Sequence, residues 1–344
     1  MVPAIQDPEA AARAAGLIYV DTEDAGITRR RRGKGFSYAG PDGRPVTGAE
    51  RERVEALVVP PAWDEVWICP DADGHIQATG RDDRGRKQYR YHDDWRTARD
   101  ADKFAQLASF GTSLATIRRQ VASDLARSGL PRERVIALVV RLLDETLIRV
   151  GNPEYAKNES FGLTTLEPRH VEVAGKELTF EFVGKSGTEH EITVENRQLC
   201  KAVQLCDDLG GDRLFTYRLD GEVHPVDSDD VNEYLHEVAG ADVSARDFRT
   251  WGGTVATVEH LGPLAVPGDD KAGASAFLAA VDVAAERLGN TRTVCRGSYV
   301  HPAVEGAFVA GDLHDAWRRS RRTRRLTRAE RATLHLLVDE AAKV

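Results

Sequence analysis

Residues 131–151 read PRERVIALVVRLLDETLIRVG, and this stretch decides the fold class. Its apolar residues recur at the spacing of one helix face, at Val135, Leu138, Val139 and Leu142. Pro131 suits a first-turn position and Gly151 lies just past the end, so the pattern predicts a helix over residues 131–149. The chain around it is therefore expected to be mostly α-helical.

A β-hairpin follows this helix. Leu178, Phe180 and Phe182 alternate with polar residues, and the alternation resumes at Ile192 and Val194. The glycine-rich stretch 184–187 between the two runs predicts a turn with Lys185 at its tip.

Four further segments have helical spacing or helix-capping patterns. They are Phe104 to Ala126, a segment opened by Ser244 and Asp247 that carries Arg246 and Arg249 on one face, Ala272 to Leu288 ending at Gly289, and a last helix capped by Thr327 and Glu330.

The first 95 or so residues have a different sequence pattern. Gly, Pro and Asp break them into short segments, including Leu57 to Val59, Val66 to Cys69 and Lys87 to Tyr91, and this favours short strands and turns. We predict a β-rich domain over 1–98 and a mostly α domain with a basic C-terminal tail over 99–344. The composition is that of a soluble globular protein, with no apolar run long enough for a membrane span and no signal peptide, so we expect a cytoplasmic protein.

Charge is unevenly distributed along the chain. The net charge of −8 argues against a nucleic-acid partner at first sight. Residues 29–34, however, read RRRRGK, residues 81–99 hold seven cations against four anions, and residues 317–331 hold eight arginines against Glu330. Basic blocks in an acidic chain suit a DNA clamp with a basic inner face.

Several familiar chemistries do not fit the sequence. Gly184-Lys185-Ser186 resembles the end of an ATP-binding phosphate loop, but Thr179 stands where that motif requires glycine. The stretch 71–74 lacks the remaining acidic ligands of a calcium loop. The chain has no paired-histidine zinc motif, and no two of its four cysteines have the spacing of zinc ligands. We therefore expect no metal, no ATP and no other cofactor, and four free thiols.

Four motifs in the second part of the chain resemble the catalytic segments of type IB DNA topoisomerases, specifically the compact poxvirus and bacterial branch. They occur in the family's order: LIRVGNPEYAKNESFGLTTL (147–166), FVGKSG (182–187), RDFRTWG (246–252) and LGNTRTVCRGSYVHP (288–302). The resemblance covers most of residues 100–305, and GRKQYRYH (85–92) resembles a DNA-contacting stretch of the same branch. It implies an α+β clamp around duplex DNA, with a small β-rich domain and a mostly α catalytic domain.

The resemblance also implies the active groups. The family's two arginines, lysine, histidine or asparagine, and tyrosine nucleophile fall here on Arg149, Arg249, Lys185, Asn290 and Tyr299. Poxvirus members carry histidine where this chain has Asn290, so the bacterial branch fits better. An amide can donate a hydrogen bond to phosphate but carries no charge, so its contribution should be positional.

These residue types suit strand cleavage at a phosphodiester. Two arginines can hold the oxygens on which charge develops, and an ammonium can protonate the departing 5′-oxygen. A free tyrosine has a pKa of about 10, so about one in a thousand is ionised at pH 7, a deficit of roughly 4 kcal/mol that a cationic pocket can partly recover. The implied activity is ATP-independent relaxation of supercoiled DNA through a 3′-phosphotyrosyl intermediate.

The resemblance further implies which residues touch DNA. They are Arg86, Lys87, Gln88, Tyr89, Tyr91, Tyr155 and Arg246. Asn152 and Glu154 stand where poxvirus members are basic, so poxvirus-like site specificity is not expected. We expect a monomer, associated with the nucleoid, that takes no small-molecule substrate.

Two other hypotheses remain open from the sequence. A tyrosine recombinase shares the arginine, lysine and tyrosine chemistry, but such enzymes usually carry histidine three residues before the second arginine, where this chain has Arg246. A non-catalytic DNA clamp would be expected to lack one or more of the five active groups, and all five are present.

Overall fold

The computed structural model describes residues 8–240 and 243–342, except the side chains of Asp102 and Ala341. The chain divides into two compact units, Met1–Phe104 and Ala105–Val344. The boundary predicted at 98–99 falls inside a helix, Asp93–Ala105. No helix within the described ranges is long and apolar enough to cross a membrane.

The first unit is built on an antiparallel five-stranded sheet in the order β2-β1-β3-β4-β5. Its elements are α1 (Pro8–Ala14), β1 (Ile27–Arg32), β2 (Gly35–Ala39), α2 (Gly48–Ala56), β3 (Asp64–Ile68), β4 (Ile76–Arg81), β5 (Lys87–Tyr91) and α3 (Asp93–Ala105). Ile27, Ile68 and Ala78 are fully buried between the sheet and α2. The β-rich character predicted for this part is confirmed.

Leu57 to Val59, predicted as a short strand or turn, form a turn: α2 ends at Ala56 and the chain continues through Val58 with a positive φ of 49°. Arg53 on α2 donates to the carbonyls of Cys69 and Pro70, which fixes the helix against the sheet. The sequence patterns therefore missed α2, a polar helix in which Arg53 has its hydrogen-bond partners outside the helix.

The second unit is mostly helical. Its helices are α4 (Leu107–Leu125), α5 (Arg132–Thr146), α6 (Pro153–Ala156), α7 (Arg197–Leu209), α8 (Ser228–Ala239), α9 (Asp247–Leu261), α10 (Asp270–Leu288), α11 (Arg292–Tyr299), α12 (Ala303–Ala310), α13 (Asp312–Arg319) and α14 (Arg328–Ala341). Its strands are β6 (Val171–Ala174), β7 (Glu177–Val183), β8 (Glu189–Glu195), β9 (Thr216–Leu219) and β10 (Glu222–Pro225). The mostly α fold predicted for this part is confirmed.

Helix α5 lies at the centre of this unit. All four residues of its predicted apolar face are at most 1% exposed. The helix ends earlier than predicted, because Leu147 adopts the left-handed conformation with φ of 56°. Arg149 therefore lies in the segment that leaves the helix rather than on the helix.

The predicted hairpin is confirmed as β7 and β8, with Phe182 paired to His190 across the strands. A third strand, β6, pairs with β7 and was not predicted. Leu178 and Phe180 are fully buried and attach the sheet to the helical core.

The basic segment from Arg318 to Arg331 is not a tail, which corrects the prediction. Leu336 and Leu337 of α14 are buried in the two helical cores. Arg118 on α4 bonds Asp144, Glu330 and the Arg325 carbonyl. Removing the chain from Trp317 onward would take away core side chains as well as cations.

We expect Glu330→Gln to lower the free energy of unfolding by about 1–3 kcal/mol, because one side of the half-buried Arg118 guanidinium loses its charged acceptor. The Glu330 carboxylate accepts from Arg118 at 2.6 Å and also caps α14 through the Thr327 N–H. Urea denaturation measures the change. Glu154→Gln, in an exposed pair with Lys157, is the control and should change stability by a few tenths of a kcal/mol at most; equal losses would contradict the expectation.

Candidate active site

Tyr299 is the last residue of α11, and its backbone is fixed by α9. The Tyr299 carbonyl accepts from the Thr254 hydroxyl at 3.2 Å, and the same hydroxyl accepts from the His301 N–H at 3.1 Å. A Cβ atom at Gly253 would lie 2.6 Å from the Tyr299 carbonyl oxygen, so only glycine permits this approach. Gly253 and Thr254 were missed from the sequence because only the fold brings α9 and α11 together.

Arg249 on α9 is buried, with 4% of its surface exposed. Its two terminal nitrogens donate to backbone carbonyls, one to Leu147 and the other to Leu288 at 2.9 Å. Its guanidinium carbon lies 4.9 Å from the centre of the Tyr299 ring. A guanidinium has five N–H donors, so this anchoring leaves donors for a ligand, and its Nε has no acceptor among the described residues.

Arg149 reaches the same place from the segment after α5. One of its terminal nitrogens donates to the Asn290 side-chain oxygen at 3.2 Å. Asn290 follows the left-handed Gly289 that ends α10, and its amide nitrogen has no acceptor in the described part of the chain. The structure thus brings together Arg149, Arg249, Asn290 and Tyr299 from four separate segments.

Burial and the neighbouring charges shift the pKa of the Tyr299 phenol in opposite directions. Burial raises its pKa, but the guanidinium groups of Arg249 and Arg149 outweigh burial, and the pKa lies below the ordinary 10.0. Burial, then the charge of Arg149, lowers the pKa of Arg249. Among the described residues no carboxylate forms a salt bridge with either arginine. Two cations without a carboxylate partner beside a phenol form a site for an anion.

Lys185 occupies the tip of the β7–β8 hairpin and is exposed. The turn is tight: the Gly184 N–H donates to the Thr188 carbonyl at 2.7 Å, and Ser186 has a positive φ of 68°. Within the described ranges the Lys185 ammonium has no hydrogen-bond or carboxylate partner. The hairpin is part of the second unit, as are the other four groups.

His190, on β8, was not among the sequence candidates. It lines a cavity of about 10 Å³ together with Arg149 and Arg249. Burial, followed by the charges of these two arginines, lowers its pKa below 6.5. No spacing rule connects a strand histidine to arginines on other elements, so no sequence pattern points to it.

The residues expected to touch DNA are exposed to different degrees. Tyr89 and Tyr91 on β5 are 44% and 38% exposed and stack with ring centres 5.9 Å apart. Arg86 and Gln88 both bond the Asp82 carboxylate, and Lys87 donates to Thr22 at 3.0 Å. In the second unit, Tyr155 on α6 is 49% exposed and Arg246 is exposed at the start of α9.

Comparison with known proteins identifies the family of the chain. Residues 92–305 match the family model described as eukaryotic DNA topoisomerase I, catalytic core, and residues 35–82 match bacterial DNA topoisomerase IB, N-terminal domain. DNA topoisomerase 1B of Acanthamoeba polyphaga mimivirus is 33% identical over 69% of this chain and 72% of its own length. DNA topoisomerase 1B of vaccinia virus is 23% identical over 70% and 74%. The chain belongs to the type IB DNA topoisomerase family.

The pKa of Tyr299 can be measured without DNA. We expect the phenolate absorbance that disappears in Tyr299→Phe to titrate below 10.0, and to titrate at higher pH in Arg149→Ala, because that change removes a cation that stabilises the phenolate. Arg149→Lys keeps the charge and should stay nearer to the unmodified protein. An unchanged titration in Arg149→Ala would show that Arg149 does not act on this phenol.

Proposed function

We propose that the protein relaxes supercoiled duplex DNA without ATP or metal, by cutting one strand through a covalent bond between Tyr299 and a 3′-phosphate and then resealing it. The observation that carries this proposal is the pair of half-buried Arg149 and buried Arg249, which has no carboxylate partner in the described chain and lowers the pKa of the adjacent Tyr299. Family membership supports the same chemistry.

In the proposed cleavage step Tyr299 first loses its phenol proton to solvent, which Arg249 and Arg149 favour, and the phenolate oxygen then attacks phosphorus in line with the 5′-oxygen. Arg149 and Arg249 donate to the non-bridging oxygens, on which negative charge accumulates in the transition state. Arg249 is well suited because two backbone carbonyls fix its guanidinium before substrate binds. The Asn290 amide nitrogen supplies a further neutral donor, oriented by the bond to Arg149.

The departing 5′-oxygen requires a proton, because an alkoxide is a poor leaving group. We assign this proton to the Lys185 ammonium, which has no competing acceptor among the described residues. The O–P bond to Tyr299 forms as the P–O5′ bond breaks, and the proton passes from Lys185 to the 5′-oxygen. Resealing reverses these movements.

The energy of the broken phosphodiester is kept in the tyrosyl ester, so resealing needs no ATP. While the strand is open, torsional strain rotates the free end and removes supercoils. Duplex DNA is the proposed partner of a monomeric enzyme that works in the cytoplasm at the nucleoid.

We propose that the exposed aromatics Tyr89, Tyr91 and Tyr155 and the cation Arg246 contact DNA directly. Arg86, Lys87 and Gln88 already have partners within the protein, so their contacts with DNA would require an exchange of hydrogen bonds or sharing of donors. Arginine contacts to phosphate position a protein on DNA but carry no base information.

Supercoiled plasmid incubated with the protein and EDTA, without ATP, tests the proposal. Relaxed topoisomers that depend on Tyr299 support it. Retarded but still supercoiled DNA would indicate a non-catalytic clamp, and products formed only from DNA with paired sites would indicate a recombinase. Either of these outcomes overturns the proposal.

A further inference from the structure

His190 packs on the hairpin that carries Lys185. It lies opposite Phe182 across β7 and β8, and the two rings stack with centres 5.0 Å apart and planes 24° from parallel. The His190 ring is therefore fixed from below by a buried aromatic side chain. Its position depends on the register of the hairpin and on the core beneath it.

The same ring lies directly over two glycines. A Cβ atom at Gly184 would lie 2.7 Å from His190 Cδ2 and Nε2, and one at Gly289 would lie 2.5 Å from Cε1. Neither distance is possible between real atoms, so the imidazole occupies the space that a side chain at either position would need. These glycines immediately precede Lys185 and Asn290.

The charge state of His190 fits this close packing. Arg149 and Arg249 line the same small cavity, and a protonated imidazole would add a third cation there. Burial and these two charges keep the ring neutral near pH 7 by lowering its pKa. A neutral flat ring fills the space between the two backbone turns without displacing either guanidinium.

Backbone hydrogen bonds close the turn at the tip of the hairpin, but they do not attach it to the rest of the site. The residues 185–187 are exposed, and the Lys185 side chain has no partner among the described residues. The side chain that packs most closely on Gly184, immediately before Lys185, is His190.

We infer that His190 is a positioning residue, which holds the Lys185 turn against the turn before Asn290 and thereby sets the reach of the Lys185 ammonium to the departing 5′-oxygen. This inference rests on the proposed function and deepens it. In this role His190 neither contacts DNA nor donates a proton in the reaction.

Single-turnover cleavage of two DNA substrates tests this role. One is ordinary DNA, and the other carries sulfur in place of the bridging 5′-oxygen at the cleavage site, where a thiolate leaves without a proton. We expect His190→Ala to slow cleavage of ordinary DNA by about 10- to 100-fold, as a displaced general acid would, and to cleave the sulfur substrate at nearly the unmodified rate. His190→Phe keeps a flat ring against both glycines and should recover much of the rate on ordinary DNA.

Another histidine of the same unit, buried and also stacked on an aromatic ring, gives a matched control. His170 stacks on Phe161 with centres 4.3 Å apart and accepts from the Glu167 N–H at 3.0 Å. We expect any loss in His170→Ala to be the same on the oxygen and sulfur substrates, because it reflects stability alone. If His190→Ala has no cooperative urea transition, His190→Asn takes its place.

The outcomes distinguish a failure of the His190 positioning role from a failure of the proposed function. Equal defects of the His190 variant on both substrates would overturn the positioning role and leave His190 as a core residue. Absence of cleavage by the unmodified protein on either substrate would instead overturn the proposed function. A sulfur-selective recovery in the His190 variant but not in the His170 variant supports the inference.

Discussion

Tyr299→Phe is expected to abolish nicking and plasmid relaxation while leaving duplex binding nearly intact. The substitution removes only the hydroxyl that forms the ester, and no other group in the pocket can replace this nucleophile. Binding should persist because phosphate contacts dominate protein–DNA affinity, and Arg149 and Arg249 remain in place. Relaxation gels, trapping of the covalent complex in denaturant, and a filter-binding titration measure the three properties.

Tyr217→Phe is the matched control. Tyr217 is another largely buried tyrosine of the same unit, stacked on His224 with ring centres 5.7 Å apart. The control should keep both cleavage and relaxation, since loss of that hydroxyl touches no reacting group. Substantial relaxation by Tyr299→Phe, or a covalent complex formed by it, would disprove the assignment of the nucleophile.

The elements that follow from local patterns were predictable from the sequence. The apolar face of α5, the alternation in β7 and β8, the end of α10 at Gly289 and the cap of α14 by Thr327 and Glu330 all agree with the structure. In each case the stabilising contacts lie within a few residues or on one face of one element. The fold class and the family follow from these patterns together with the order of the four motifs.

The predictions that did not hold concern residues whose hydrogen-bond partners lie far away in the chain. Counting arginines in 29–34 and 317–331 does not reveal which of them bond the protein itself. Arg29 donates to three backbone carbonyls, those of Val59, Pro60 and Trp63, and Arg325 donates to the Arg118 carbonyl. Such arginines have fewer donors left for phosphate, so charge density along a sequence overstates the surface available to DNA.

The roles of Gly253, Thr254 and His190 have the same origin. Each is an ordinary residue within its own element, and each becomes significant because another segment packs on it: Tyr299 on α9, and Gly184 and Gly289 on the His190 ring. A single sequence contains no record of these approaches. Family motifs identify groups proposed to meet the phosphate, whereas the structure identifies the residues that support them.

Lys185→Ala is expected to slow cleavage of ordinary DNA by roughly 10²–10⁴-fold, the range typical of a lost general acid. The departing 5′-oxygen then has no proton donor at the hairpin tip, while the arginines still stabilise charge at phosphorus. On DNA with a 5′-bridging sulfur the same variant should approach the unmodified rate, because a thiolate leaves without protonation. Single-turnover cleavage on both substrates measures the difference.

Two comparisons make this test selective for proton transfer. Lys176→Ala removes a lysine of the same three-stranded sheet region that pairs with Glu195 at 2.6 Å, and it should leave both rates nearly unchanged. Arg149→Ala should remain slow on both substrates, because charge on the non-bridging oxygens develops whichever atom departs. Equal defects of Lys185→Ala on the oxygen and sulfur substrates would disprove the general-acid role and leave Lys185 as a contact to phosphate. The positioning role inferred for His190 would then be disproved as well, because it depends on proton transfer from Lys185.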